Sequence, residues 1–179
     1  MPDIVIRPAD STDLALLANF DHGYSTDYVW QMDTREAEGE FYVSFRQVYL
    51  PRPMRVFSSR SRDWLTDSWS RRKCFLVAEL DELPHGYLNL GTGPAPDVGL
   101  VADFAVERRS RRQGLGSALL LAARQWAREN GLRRLILETQ TKNYPAIRFC
   151  QKHGFSFCGY NDRYYANMDI ALFFGLNLR

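Results

Sequence analysis

Residues 106–117 of this chain read Val-Glu-Arg-Arg-Ser-Arg-Arg-Gln-Gly-Leu-Gly-Ser, and the fold expected for the whole chain follows from them. They come after the β-rich run 98–106, which is too short for a comfortable helix. Beyond them, apolar residues recur at three- and four-residue spacing from Leu115 to Trp126, and Gly131 ends the pattern. The stretch therefore predicts a strand, a basic turn with two glycines, and a helix.

The predicted turn has the chemistry of an anion site. A helix N-terminus has unpaired N–H groups and the positive end of the macrodipole. Gly114 and Gly116 allow a ligand to approach the backbone, and arginines at 108, 109, 111 and 112 add positive charge. No lysine follows Gly116 as a Walker A loop requires, and position 119 is leucine where the dinucleotide fingerprint requires glycine. We interpret the turn as a pyrophosphate site; the alternative is a solvated basic turn.

The composition predicts a single globular domain in a reduced, cytoplasmic protein. The chain has 179 residues, 45% of them hydrophobic and 13% aromatic, and its net charge of +2 gives no general attraction to nucleic acid or membranes. Cys74, Cys150 and Cys158 are odd in number and lack Cys-x-x-Cys spacing, so neither a disulfide framework nor a metal site is expected. The sequence has no apolar signal core and no run of 18 apolar residues, so no membrane span is expected.

The remaining pattern predicts an α/β fold with a mixed sheet. Strands are expected at 4–6, 41–50, 74–80, 86–90, 132–138, 155–157 and 170–178, and helices at 14–20, 61–72 and 143–153. Ser61 or Asp63 is expected to cap the second helix, prolines at 51 and 53 to interrupt the strand before them, and residues 81–84 to form a hairpin turn.

Residues 21–40 are polar and aromatic without a clear period, which predicts a loop or short helices over a cleft. Six acidic residues lie in this segment against Arg35 alone. The excess of negative charge favours either a cationic substrate or an ordinary solvated face.

Two motifs resemble the GNAT N-acetyltransferase superfamily. Residues 111–116, Arg-Arg-Gln-Gly-Leu-Gly, fit its Gln/Arg-x-x-Gly-x-Gly/Ala acetyl-CoA signature. Residues 143–155, Asn-Tyr-Pro-Ala-Ile-Arg-Phe-Cys-Gln-Lys-His-Gly-Phe, resemble its later Asn-x-x-Ala-x-x-Phe-Tyr-x-x-x-Gly-Phe block. Within the superfamily, Leu-Glu-Thr-Gln at 137–140 and the ending that starts at Asp169 look most like streptothricin acetyltransferases.

The resemblance implies a mixed, mostly antiparallel central sheet with a splayed parallel strand pair, flanked by helices. It implies one domain, 1–179, with a divergent substrate-side part at 1–73 and an acetyl-CoA-binding core at 74–178. It further implies that backbone groups of Phe104, Ala105 and Val106 pair with pantetheine and that Asn143 contacts the cofactor. The residues expected to hold the pyrophosphate are Arg111, Arg112, Gln113, Gly114, Leu115, Gly116 and Ser117.

The activity implied is transfer of an acetyl group from acetyl-CoA to a primary amine of a small cationic molecule, such as a streptothricin-like antibiotic or a polyamine, by direct attack in a ternary complex. An alkylammonium has a pKa of roughly 10, so a base or water relay must remove its proton near pH 7. Glu138 and Asp103 lie at or near the ends of strands flanking the expected cleft and are the candidates. Alternatively, Glu138 caps the next turn and Asp103 pairs with an arginine. A backbone N–H near Val106 is expected to stabilise the oxyanion.

The sequence departs from the family at Cys150, which stands where the block usually has tyrosine. It is a small core residue, a general acid for the departing thiolate, or a nucleophile that carries the acetyl group. If it is inert, Tyr160, Tyr164 or Tyr165 supplies the proton, and Tyr164 is the candidate we retain.

Alternative functions of the chain involve a different acceptor or no catalysis at all. A peptide or protein amine is the alternative acceptor, and a noncatalytic acyl-CoA-binding module is the alternative of another class. A nucleic-acid module is less favoured, because one basic turn without interleaved aromatic residues is a poor footprint. Either a monomer or a homodimer paired through the last strand is compatible with the sequence.

Overall fold

A computed structural model describes residues 3–57 and 62–178. Within these ranges the chain forms nine strands, four α-helices and one 3₁₀ turn. In chain order they are β1 (Val5–Pro8), α1 (Asp13–Leu17), β2 (Tyr24–Ala37), β3 (Glu40–Val56), α2 (Arg62–Ser70), β4 (Cys74–Leu80), β5 (Leu83–Thr92), β6 (Val98–Val106), the 3₁₀ turn (Arg108–Ser110), α3 (Leu115–Glu129), β7 (Arg134–Gln140), α4 (Tyr144–Lys152), β8 (Ser156–Asn161) and β9 (Ala171–Asn177).

Seven strands form the central sheet, in the order β1-β4-β5-β6-β7-β9-β8. Every neighbouring pair is antiparallel except β6 and β7, which are parallel. The parallel pairing starts at Val98 and ends where Val101 faces Leu137. Beyond that point β6 stays paired with β5 and β7 stays paired with β9, so the two strands separate. The expected mixed sheet with a splayed parallel pair is confirmed.

Apolar layers cover both faces of the sheet. On one face, α3 and α4 bury side chains such as Leu119 and Ile147 against the sheet. On the other, Leu17 of α1 and Leu65 of α2 pack with Phe75, Val77 and Tyr87. Because side chains alternate along a strand, β6 sends residues into both layers.

The largest correction concerns residues 21–40. Residues 24–37 form strand β2, not a loop or short helices, and β2 pairs with β3 in a separate two-stranded hairpin. Many side chains on both faces of β2 are exposed, so its sequence lacks the alternation of apolar and polar residues that indicates a strand. The strand expected at 41–50 is confirmed and continues to Val56. The interruption expected at prolines 51 and 53 is wrong: β3 continues through them, and they lie where its pairing register with β2 shifts.

The other predicted elements are present with boundaries shifted by a few residues. The turn at 81–84 is confirmed: Leu80 faces Leu83, and Asp81 and Glu82 have φ values of 50° and 63°, as in a tight hairpin turn. Of the two proposed caps of α2, Asp63 lies inside the first turn of the helix and is therefore not its cap, and Ser61 lies outside the described residues. Across 3–57 and 62–178, no helix is long and apolar enough to cross a membrane, and no three His, Cys, Asp or Glu side chains group as metal ligands.

Candidate active site

The turn between β6 and α3 presents a row of unpaired backbone donors. Within the described ranges, no N–H group of residues 111–117 donates a hydrogen bond to the protein. Arg112 and Gly114 have φ values of 68° and 98°, and Gly114 is the N-cap of α3. Left-handed residues among right-handed ones turn successive N–H groups toward a shared concavity, and the dipole of the long helix α3 adds to the positive field. The predicted anion site therefore has the backbone it needs.

Arg111 is engaged with the protein and does not project freely into this site. Its guanidinium donates to three backbone carbonyls, those of Val106 at 2.9 Å, Gly23 at 2.7 Å and Asp21 at 2.5 Å. Burial lowers the pKa of Arg111 below its ordinary value. The side chain thus ties the segment before β2 to the end of β6, while the backbone N–H of Arg111 remains available.

The other residues predicted to hold the pyrophosphate differ in exposure. Arg112 and Gln113 are exposed, whereas Leu115 is buried under the first turn of α3. The hydroxyl of Ser117 lies 3.0 Å from Nε2 of His153 in the C-terminal cap of α4. Ser117 can therefore contribute its backbone, but its hydroxyl already has a partner.

Gly116 and Asn143 lie where α3 and α4 approach β6. A Cβ on Gly116 would lie 3.4 Å from the ring of Phe149 and 3.5 Å from that of Phe104. Asn143 is the N-cap of α4, and its Oδ1 accepts from the N–H of Ala146 at 3.2 Å. The structure thus gives Asn143 a local capping role in addition to the cofactor contact that the sequence predicts.

The separated edge of β6 carries two of the three residues predicted to pair with pantetheine. The N–H of Phe104 donates a hydrogen bond to Oδ1 of Asp103 at 3.0 Å, and the carbonyl oxygen of Val106 accepts one from the Arg111 side chain. In contrast, the N–H of Glu107 donates to the carbonyl of His85 in β5. Because backbone groups alternate along a strand, Phe104 and Val106 face the opening, while Ala105 faces β5.

Asp103 and Glu138 lie on the same face of the sheet, one on each side of the opening. Leu137 packs in the α3/α4 layer, so Glu138 next to it points to the other face. Asp103 points to that face as well, where it accepts a 2.7 Å hydrogen bond from the buried Tyr87 hydroxyl. Two carboxylates therefore flank the opening on the side opposite α3.

Tyr164 donates to Glu138 at 2.7 Å, so the structure brings two of the predicted catalytic residues together. Burial, followed by the bond to Glu138, raises the pKa of Tyr164 to about 12. Its ring packs edge-on against Tyr165 and Phe173. Tyr160 lies elsewhere, on β8, where it contacts Phe45 of the hairpin.

Cys150 is completely buried in the α3/α4 layer, with Ile147 on the same helix. Burial raises the pKa of its thiol to about 12. A neutral thiol without solvent access is a poor nucleophile and a poor proton donor at neutral pH. This environment favours the packing role among the three roles considered.

The sequence analysis missed Tyr87 and His22. The Tyr87 hydroxyl lies 3.2 Å from Nε2 of His22 in addition to its bond to Asp103. Tyr87 occurs in an apolar strand and His22 in a segment without a pattern, so only the general need of a buried tyrosine hydroxyl for a partner could have pointed to them. These residues border a cavity of about 20 Å³, lined by Leu17, Ala18, His22, Trp64, Leu65, Tyr87 and Asp103.

The family model described as "Acetyltransferase (GNAT) family" matches residues 27–155. The chain therefore belongs to the GNAT family of acetyltransferases, as its two motifs predicted. Within the family it is similar to the streptothricin acetyltransferase of Streptomyces lavendulae, with 37% identity over 164 residues that cover 89% of this chain and 85% of the relative. Streptothricin acetyltransferase A of Bacillus subtilis (strain 168) is 40% identical over 72 residues, which cover 40% of this chain and 42% of that relative.

Solved structures share the fold along nearly the whole chain. A nourseothricin acetyltransferase superimposes with a TM-score of 0.83 at 23% identity and covers 98% of this chain and 99% of its own. A Bacillus anthracis str. Ames protein described as a streptothricin acetyltransferase, solved in complex with acetyl coenzyme A, gives a TM-score of 0.75 at 19% identity and covers 99% and 98%. At these identities the comparison concerns the fold.

Proposed function

We propose that this protein transfers the acetyl group of acetyl-CoA to a primary amine of a small cationic acceptor of the streptothricin class. The main support is the opening between β6 and β7, which has unpaired amides at one end and two carboxylates on one face. The similarity to the Streptomyces lavendulae enzyme over most of both chains supports the acceptor class.

The residues around the opening fit acetyl-CoA. The N–H groups of 111–117 suit a pyrophosphate, and the carbonyl of Phe104, which faces the opening, suits an amide N–H of a pantetheine arm. When bound, acetyl-CoA supplies an acetyl group activated as a thioester. The N–H of Val106 is the candidate donor to the developing oxyanion.

The carboxylates remove the proton that prevents an alkylammonium from acting as a nucleophile. Asp103 and Glu138 flank the opening on the face away from α3, so an amine that enters from that face meets the partly exposed Glu138 directly and the buried Asp103 through a water. Their negative charges also attract a cationic acceptor. The neutral amine then attacks directly in the ternary complex.

Tyr164 is the candidate general acid. Its phenol is protonated at neutral pH and, unlike the buried Cys150 thiol, is exposed beside Glu138, so its position and not its acidity makes it the candidate donor to the departing thiolate. The hydrogen bond from Tyr164 also orients Glu138. Cys150 serves as a core residue in this scheme, because its thiol is buried.

The first test is thiol release from acetyl-CoA by the purified protein, with streptothricin, spermidine, an aminoglycoside and a lysine peptide each offered as acceptor. We expect turnover with streptothricin and little with the peptide. Turnover with the peptide alone would favour a peptide acetyltransferase. Calorimetric binding of acetyl-CoA without turnover on any amine would favour a noncatalytic acyl-CoA-binding module. Asp103→Asn is the control, because it should bind acetyl-CoA and lose turnover.

A further inference from the structure

A buried chain of polar groups leads away from Asp103. The Tyr87 hydroxyl donates to Oδ2 of Asp103 at 2.7 Å and lies 3.2 Å from Nε2 of His22. Asp103 is 4% exposed and Tyr87 is 1% exposed, whereas His22 is only partly buried. The chain therefore connects a buried carboxylate to an imidazole near the surface.

A buried base needs such a connection. If Asp103 takes a proton from the acceptor, it must release that proton before the next turnover, and its own carboxyl group has almost no contact with solvent. An imidazole exchanges protons readily near neutral pH, which suits it to the outer end of a relay.

We propose that Tyr87 and His22 form the proton exit of Asp103; the proposal rests on the acetyltransferase function proposed above. The acceptor ammonium gives one proton to the Asp103 carboxylate through a water and becomes a neutral amine. The Asp103 carboxyl then passes a proton to the Tyr87 oxygen while the Tyr87 O–H proton moves to Nε2 of His22, and His22 releases one proton to water. One proton leaves the substrate and one reaches solvent. Tyr87 and His22 are positioning residues, because they act through Asp103.

The surrounding structure holds the two relay side chains in place. The Tyr87 ring packs against the rings of Phe20, His22 and Phe75, with centroids 5.5 to 6.1 Å apart. Arg111 holds the backbone on both sides of His22 through the carbonyls of Asp21 and Gly23.

The other groups near His22 define its electrostatic surroundings. The Asp21 carboxylate accepts from the N–H of Gly23 at 2.8 Å and forms ion pairs with Arg108 at 3.5 Å and Arg55 at 4.0 Å. Trp64 and Leu65 of α2 and Leu17 and Ala18 of α1 line the adjoining cavity, where Tyr87 and Asp103 are the titratable neighbours from β5 and β6. The cavity volume of about 20 Å³ is enough for one water beside the relay.

The test uses Tyr87→Phe, which keeps the ring and removes the hydroxyl, and His22→Gln in the partly exposed outer position. The matched control is Tyr24→Phe, because Tyr24 also loses a partly buried hydroxyl, bonded to Gln140 at 2.9 Å, outside the relay. At pH 7, with the acceptor found active in the thiol-release assay, we expect kcat of both relay variants to fall by about tenfold or more. The KM for acetyl-CoA should stay within about twofold, and the control should keep its kcat.

Two readouts separate a relay from mere support of the structure. Raising the pH toward the pKa of the acceptor's ammonium group should restore kcat, because a larger fraction of the acceptor is then already a neutral amine. A third variant, His22→Gly, leaves space for a free imidazole, and added imidazole should restore part of its activity. Unchanged kcat in both relay variants, or a loss that neither pH nor imidazole relieves, would overturn the relay while leaving the acetyltransferase function intact. Absence of turnover in the unmodified protein with every amine would overturn that function and the relay with it.

Discussion

Cys150 illustrates how a single side chain redirects the chemistry. It stands where the family block has tyrosine, yet its thiol is fully buried in the α3/α4 layer and burial raises its pKa to about 12. Tyr164 lies in a different part of the chain, and its hydroxyl donates a hydrogen bond to Glu138. The proton donor has therefore moved, in our proposal, from α4 to the segment between β8 and β9.

The first prediction follows from this position. Cys150→Ala should keep kcat within about twofold and lower the free energy of unfolding by about 1 kcal/mol, because only one buried sulfur is lost. Thiol labelling of the native protein should modify the exposed Cys158 and leave Cys74 and Cys150 unmodified. Cys158→Ala is the labelling control. A tenfold loss of kcat in Cys150→Ala, with acetyl-CoA binding retained, would restore a chemical role for the thiol.

The second prediction concerns Asp13, which is 6% exposed and bonds to Arg7 through both oxygens at 2.7 Å. The hydrogen bond from Arg7 lowers the pKa of Asp13 below its ordinary value. A depressed folded-state pKa gives stability that is present above the unfolded-state pKa and disappears as the pH falls through the folded-state value. Asp13→Asn should therefore lower the free energy of unfolding by about 2 kcal/mol at pH 7.

Urea unfolding from pH 7 down to pH 3 measures this effect. The difference between the protein and Asp13→Asn should narrow as the pH falls below about 4. Asp97→Asn is the control, because its partner Arg133 is 84% exposed and the pair should contribute little. A difference that is constant with pH would show that the ion pair is not its source.

Among the structural elements, the turn from β6 to α3 combines two tasks. Its backbone offers unpaired N–H groups, and its Arg111 side chain holds the segment that carries His22. Arg111 therefore links the turn expected to bind the cofactor to the segment that carries one residue of the proposed relay. This arrangement depends on left-handed backbone at Arg112 and Gly114.

The third prediction tests that backbone. Gly114 has a φ of 98°, so Gly114→Ala introduces strain where the N–H groups must be aligned. If this strain reduces the binding free energy by about 1.4 kcal/mol, the affinity for acetyl-CoA falls about tenfold. Gly131→Ala is the matched control, because Gly131 has a φ of 74° at the other end of α3. It should lose similar stability and keep its affinity. Equal affinities in the two variants, measured by calorimetry, would contradict the assigned role of the turn.

What the sequence predicts about these elements depends on how local the determining contacts are. The turn, α3 and α4 follow from spacing within single segments, and so they were predictable. The bond from Tyr87 to Asp103 joins two strands, and His22 reaches Tyr87 from 65 residues away. Periodic patterns within one segment carry no information about contacts between residues that are distant in sequence. Strand β2 was missed because its sequence lacks the apolar–polar alternation that identifies a strand, whereas its partner β3 was predicted over 41–50.

At the scale of the whole molecule, the hairpin has a root that packs on the sheet and a tip that does not. At the root, the N–H of Trp30 donates to Thr141 just after β7, and Tyr28 packs on Tyr144 of α4 at 4.8 Å. Phe45 contacts Phe157 of β8, beside an apolar cavity of about 230 Å³. The tip, beyond Arg35 and Tyr42, is exposed.

The difference between root and tip bears on the acidic residues at 21–40, which the sequence analysis interpreted either as a site for a cationic substrate or as a solvated face. Glu36, Glu38 and Glu40 lie at the tip, and at about 3.3 Å per residue Glu36 is about 26 Å along the strand from Tyr28. That distance from the hairpin root exceeds the screening length of about 8 Å at physiological salt, so we expect the tip charges to act as a solvated face. Joining Arg35 to Tyr42 through Asn-Gly in place of 36–41 should therefore leave acetyl-CoA affinity unchanged and alter the KM for a cationic acceptor less than about threefold. Glu138→Gln is the contrasting variant and should impair turnover strongly. A tenfold rise in acceptor KM on shortening the hairpin would mean that the tip reaches the acceptor, and that the hairpin folds over the face on which Asp103 and Glu138 lie.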